Sequence, residues 1–173
     1  MKHRLRNSRR KASAPSSGTA HTKPSLVQRA DSPTQTSTHP EKTILKNGIR
    51  IVSERIPSAL SFALGAWIDV GSCDETPDEY GITHFIEHLV FRGTASAERK
   101  RSSVQIANVL ESVGGYLNAF TTKDHTCYYV RALDAHLVRS LELLADMCQY
   151  PVFKESDVEK ERKIILEEMK SLE

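Results

Sequence analysis

The sequence predicts an α+β fold with helices packed on one face of a mostly antiparallel sheet. Three observations predict it. Asn47-Gly48 separates two short strand-like runs and marks a tight hairpin. A second pair of β-rich runs, Tyr116 to Thr122 and Thr126 to Leu133, flanks the turn Lys123-Asp124-His125. Segments with apolar residues at helical spacing fill the intervals, giving the order ββ-β-α-α-ββ-α-α. The 173 residues suffice for one domain, and no short internal repeat is visible.

Residues 1–41 are rich in Ser, Thr, Pro and Arg and poor in apolar residues, a composition that cannot bury enough surface to order itself. A disordered basic tail is expected. An Arg- and Ser-rich, acid-poor leader also fits a mitochondrial transit peptide. Leu5, however, is the only large apolar residue before Leu26 apart from the initiator Met, so no amphipathic face can be drawn. A nucleic-acid-binding arm is a third reading, disfavoured because no aromatic residue is interleaved with the basic ones. Through residue 40 there are eight Lys and Arg against Asp31 alone, so the overall charge of +2 hides a net acidic remainder. No nucleic-acid partner is expected for that remainder.

Order is expected from Lys42 onward. Thr43 to Lys46 and Ile49 to Ile56 form the hairpin strands, and the apolar run Phe62 to Val70 reads as a central strand. Gly71 to Glu79 is a loop, followed by a helix from about Pro77 to Arg92. Ser102 or Ser103 caps a second helix over Val104 to Val113, stopped by Gly114-Gly115. After the second strand pair, Asp134 or Ala135 opens a helix carrying Leu137, Leu141, Leu144, Ala145 and Cys148 on one face and ending before Pro151. The last helix runs from about Ser156 to the end. Cys73, Cys127 and Cys148 are odd in number and lack C-x-x-C spacing, so they read as free thiols of a reducing compartment. No apolar run approaches the ~20 residues of a membrane span, and no membrane association is expected.

The chemistry concentrates in the helix after Gly81. His84-Phe85-Ile86-Glu87-His88 is the pattern H-x-x-E-H. Residues i, i+3 and i+4 share a helix face, so two imidazoles one turn apart can hold one zinc ion, with Glu87 beside them to take a proton from a water that the metal activates. The same residues could sit by chance on a solvated helix. Phe85, Ile86, Leu89, Val90 and Phe91, however, are apolar nearly all round and predict a buried helix, in which two His and a Glu need a partner.

A catalytic zinc commonly takes a third protein ligand. In the last helix Val158, Ile164, Ile165, Leu172 and Met169 mark the apolar stripe. Glu161 and Glu168, seven residues apart, lie on or beside it, whereas Glu167 groups with Lys160, Lys163 and Lys170 on the solvated face. A carboxylate on a buried face needs a cation. Glu168 is the expected third ligand, and Glu161, one helical repeat away, a supporting carboxylate. His125, in a turn, and His136, at a helix start, are expected in solvated or capping roles, and His3, His21 and His39 lie in the tail.

The segments GITHFIEHLVFRGT, VGGYLNAFTTKDHTCYYV and EKERKIILEEM resemble the zinc-binding half of the pitrilysin/insulinase peptidases, the mitochondrial processing peptidase β subunit and its bacterial relatives above all. The resemblance runs from about Thr43 to the last residue. It implies a zinc metalloendopeptidase with one Zn²⁺ per chain: His84, His88 and Glu168 as ligands, Glu87 as general base and Glu161 as a supporting catalytic acid. Gly114 to Thr121 matches a segment that borders the family's substrate cleft, where an extended peptide adds to a sheet edge. Asn118, Ala119 and Phe120 are then candidate substrate contacts, with a core position as the other reading of Phe120.

The resemblance also implies a bacterial cytoplasmic location, or the mitochondrial matrix if the tail is a transit peptide. Its members consist of two similar halves or paired subunits, so a second half or a partner subunit is expected beside the peptide substrate. The chain stops five residues past Glu168, within a helix, so a fragment incomplete at its C-terminus and inactive on its own is expected. The competing readings are a non-catalytic assembly subunit on the same fold, which typically lacks motif residues that are all present here, and a binding module whose structural zinc would normally be closed by four protein ligands.

Overall fold

The computed structural model describes residues 39–171, so the expected tail over 1–41 falls almost wholly outside the described residues, as does Leu172 of the apolar stripe. The described residues divide into two units at Arg55.

The first unit is a hairpin of β1 (Glu41–Ile44) and β2 (Arg50–Ser53), antiparallel, with Glu41 opposite Ser53 and Ile44 opposite Arg50. The Leu45 N–H reaches the Ile49 carbonyl at 2.8 Å across the turn, and Asn47 Oδ1 accepts from the Ile49 N–H at 3.2 Å. The second strand stops at Ser53, earlier than expected.

The second unit is built on three antiparallel strands, β3 (Ser61–Ile68), β6 (Tyr116–Thr121) and β7 (Thr126–Leu133), in the order β3-β7-β6. The central strand is therefore β7, and β3, expected at the centre, is an edge strand among the described residues. Its unbroken apolar run misled because Ala63, Gly65 and Trp67 face outward and only Phe62, Leu64 and Ala66 turn inward. Inward residues of all three strands meet α1 (Ile82–Val90), α2 (Ser103–Glu111) and α3 (Leu137–Gln149). Tyr128, Val130 and Ala132 pack with Val90, Ile106, Leu110, Leu143, Leu144 and Met147 in one core. Each fully buried Leu there stabilises the fold by about 1.5–3 kcal/mol relative to an exposed one. Helices thus cover one face of an antiparallel sheet, as the sequence predicts.

Two short strands were not expected, β4 (Gly93–Ala95) and β5 (Lys100–Ser102), which pair with each other. They position the last helix, α4 (Glu155–Ser171): the Val152 N–H bonds the Gly93 carbonyl at 3.0 Å and the Ala95 N–H bonds the Tyr150 carbonyl at 2.9 Å. The metal-motif helix also begins later than Pro77. Pro77–Glu79 is a separate 3-10 turn, and Gly81, at φ +89°, takes a left-handed conformation before α1 starts. Glu75 then caps α1, accepting from the Gly81 N–H at 2.7 Å and the Thr83 N–H at 2.9 Å. Gly71 allows the preceding loop to lie on the β6–β7 turn, since a Cβ there would fall 2.5 Å from the Asp124 nitrogen.

Ser102 caps α2 in a reciprocal box with Gln105, and α3 follows a 3-10 turn over Asp134–His136. All three cysteines are free, Cys127 and Cys148 with thiols pushed up by burial. Among the described residues no helix is long and apolar enough to cross a membrane.

Candidate active site

The α1 helix is not buried all round: Ile82 and Ile86 face solvent, while Glu87, Leu89 and Val90 face inward. His84 and His88 lie on its flank, rings perpendicular, with their Nε2 atoms 3.1 Å apart. Two imidazole nitrogens this close either share one proton, one ring donating to the other, or face a common cation. Glu168 Oε2 of α4 lies 3.9 Å from His84 Nε2 and 3.8 Å from His88 Nε2. A point equidistant from the three atoms lies about 2.1 Å from each, the length of a zinc–nitrogen or zinc–oxygen bond. A shared proton would answer the histidine pair but would leave Glu168 out of reach; a metal ion answers all three. His84, His88 and Glu168 are the group of His, Cys and acidic residues among the described ones with metal-binding geometry.

Glu168 does not stand on a buried face. Its side chain is 46% exposed, and Ile164 and Met169 of the supposed stripe are exposed too. In α4 it is Glu161 that is buried, at 1% exposure. Its Oε2 lies 3.2 Å from His88 Nδ1, and its other oxygen meets the Arg92 guanidinium. A buried carboxylate between an imidazole and a guanidinium fixes the ring and its tautomer, presenting Nε2 toward His84 and Glu168.

Glu87, also buried, is held by the Thr121 hydroxyl, which donates to Oε2. Thr121 in turn lies 3.5 Å from Thr126, whose hydroxyl bonds the Val70 carbonyl at 3.0 Å. Sequence reasoning missed both Thr121 and Arg92, although each left a signal. Thr121 shares strand parity with the inward Leu117 and Ala119, and Arg92 stands four residues after His88.

Of the three candidate substrate contacts, Asn118 and Phe120 point to the uncovered face of the sheet, and Phe120 is no core residue. Ala119 points the other way and packs on the core, so its side chain cannot meet a substrate on the face that Phe120 serves. Its backbone can. The register with β7 and the Thr122–His125 bond place Phe120 and Asn118 in the hydrogen-bonded pairs, which leaves the N–H and C=O of Leu117, Ala119 and Thr121 on the free edge of β6. Asn118 Oδ1 accepts the Ala119 N–H there at 2.8 Å. His125 bonds Asp124 at 2.7 Å and lies against Trp67, outside the metal group. His136 contributes its carbonyl to Ser140 at the start of α3.

A cleft of about 500 Å³ opens beside Glu87 and His88, bounded by α1, α2, β6 and Glu161 of α4.

The chain is similar to known proteins of one family. The family model described as insulinase (peptidase family M16) matches residues 50–173. An uncharacterized zinc protease of Streptomyces coelicolor is 44% identical over 160 residues, covering 88% of this chain and 34% of its own. A mitochondrial-processing peptidase subunit beta of Neurospora crassa is 38% identical over 133 residues, covering 77% of this chain and 27% of its own. The crystal structure of a protease from Helicobacter pylori superposes with a TM-score of 0.69 at 30% identity, over 76% of this chain and 30% of that one. The chain thus spans about a third of the length of the relatives it matches.

Proposed function

The chain belongs to peptidase family M16, the insulinase family, and from that premise we propose that it is the zinc-binding part of a metalloendopeptidase that hydrolyses peptide bonds. The observation that carries the reading is the convergence of His84, His88 and Glu168 on one point, with Glu87 on the same helix. One Zn²⁺ per chain would be held by those three. When bound, zinc would act as a Lewis acid toward water and the substrate carbonyl.

The chain's own residues supply the rest. Glu87 accepts the proton of the attacking water and returns it to the leaving amine. Thr121 holds the Glu87 carboxylate in position. Glu161 keeps His88 in the tautomer that offers Nε2, and Arg92 balances the charge of Glu161. The free edge of β6 accepts the substrate as an added strand through the backbone of Leu117 and Thr121 and, once Asn118 Oδ1 gives up the Ala119 N–H, of Ala119, with Asn118 and Phe120 beside alternate substrate side chains. The family likeness supports a second homologous half or a partner subunit closing the other side, since one relative is named as a subunit. The bacterial and mitochondrial relatives support either the bacterial cytoplasm or the matrix as its compartment.

The test is metal analysis combined with turnover of a quenched unstructured peptide. Zinc near one equivalent and chelator-sensitive cleavage, both lost on replacing His84 and His88, are expected. Cleavage that persists in Glu87→Gln would overturn the assignment.

A further inference from the structure

We propose that the groove between β5 and α2 binds an oligophosphate anion, two or more phosphates in a chain, with Lys100 and Arg139 as its free cations. The groove encloses about 510 Å³. Arg99, Lys100 and Arg101 reach it from β5 and the residue before it, and Arg139 from α3. It shares no lining residue with the cleft beside Glu87. Ser103, Ala107 and Glu111 of α2 face that cleft, whereas Gln105, Asn108 and Val109 point the opposite way around the helix, into the groove.

Four cations thus converge on a body that is net acidic. Arg99 is paired with Glu142 and Arg101 with Asp146, each through Nη1, so both guanidiniums are held in place with further N–H donors left over. Lys100 and Arg139 are exposed and have no hydrogen-bond or ion-pair partner among the described residues. The Ser102 N–H donates to Gln105 Oε1 at 2.8 Å, which leaves the Gln105 NH₂ group as another donor. Against these stands Glu98, the single carboxylate that lines the groove. The positive end of the α2 dipole lies alongside. Donors in this excess call for an anion. One carboxylate gains little from an exposed cation. A compact anion with several charges engages the two free cations and the two held guanidiniums together. Guanidinium forks match phosphate oxygens, and lysine meets them as a point charge. Val109 is the only apolar residue lining the groove, so nothing there seats a nucleobase or an aliphatic stem, and the anion itself is what is recognised.

The test uses the protein as purified from its host, with any subunit that accompanies it, loaded with zinc. Calorimetry at fixed ionic strength compares tripolyphosphate, orthophosphate, ATP and a triglutamate peptide. Tripolyphosphate should bind about fivefold more tightly than orthophosphate or the peptide, the worth of one further exposed ion pair at the top of its range. ATP should bind no more tightly than tripolyphosphate. Lys100→Gln and Arg139→Gln should each weaken tripolyphosphate binding about fivefold, with zinc content and melting temperature unchanged. Glu98→Gln should strengthen it, a gain that misfolding cannot produce. Tripolyphosphate affinity indifferent to both cation substitutions, the result that chelation of the zinc would give, overturns the proposal. So does tighter binding of the peptide, which would make the groove a docking surface for an acidic protein segment, and so does tighter binding of ATP, which would mean that a base is recognised.

Discussion

Nδ1 of His88 lies 3.2 Å from Oε2 of Glu161, and Glu161 is 1% exposed. A histidine on α1 is thereby tied to a carboxylate that only α4 can supply. The pair fixes the ring with Nε2 toward His84 and Glu168. Replacing Glu161 by Gln should weaken zinc binding by about 10–100-fold. Chelator competition measures this directly, and an unchanged affinity would remove Glu161 from the metal's support.

Glu87→Gln should retain zinc and lose hydrolysis, because an amide cannot accept the proton. Loss of zinc in this variant, read by metal analysis after dialysis, would contradict the role given to Glu87.

Glu168→Gln should lower zinc affinity, whereas Glu167→Gln should not. Glu167 faces solvent and bonds Lys170 at 2.8 Å. Equal effects of the two substitutions would dissolve the distinction between their helix faces.

Thr121→Val keeps the strand and its volume but removes the hydroxyl that steadies Glu87. The turnover number should fall about tenfold with little change in KM, in keeping with a positioning loss. A rise in KM with unchanged turnover would assign Thr121 to substrate binding.

Glu75 is held below the ordinary carboxylate range: burial pushes it up, but the Gly81 and Thr83 N–H groups and the Thr83 hydroxyl outweigh that. A depressed folded-state pKa gives stability that is present above the unfolded value of about 4.5 and is lost as pH falls through the folded one. Glu75→Ala should cost about 1 kcal/mol at neutral pH, the worth of a helix cap. The gap between variant and parent should close as pH drops below 4, which thermal melts across pH 3–7 would reveal. A constant gap would mean that the carboxylate charge is not what caps α1.

The sequence made the metal-motif face legible because that relation is local: three residues within one turn point one way whatever the rest of the chain does. The strands β6 and β7 were equally plain, since alternation and a polar turn are local as well. What escaped notice depends on distant partners. The edge position of β3 follows from pairing with β7 across roughly sixty to seventy residues, and β4 bonds the segment before α4 from a similar distance along the chain. Glu168 was reached by an argument from burial that the structure transfers to Glu161. Helical spacing placed the two glutamates on neighbouring tracks, but only the approach of α1 decides which of them is covered. The late start of α1 turns on Gly81 and on the reach of Glu75, neither visible from apolar spacing.

The sequence separation of 73 between His88 and Glu161 also sets an order of events. Closing a loop of that length costs about 4 kcal/mol of chain entropy, and the intervening strands and helices offset it only once they have formed. During synthesis α1 therefore leaves the ribosome long before its partner helix. Until α4 docks, the histidine pair is an open, two-coordinate site of low affinity, and the base beside it has no organised metal to work with. Metal capture and the docking of α4 should then be one kinetic event. In refolding experiments zinc uptake, followed by a chromogenic chelator, should share its rate constant with the last spectroscopic phase, and neither should appear while α4 is undocked.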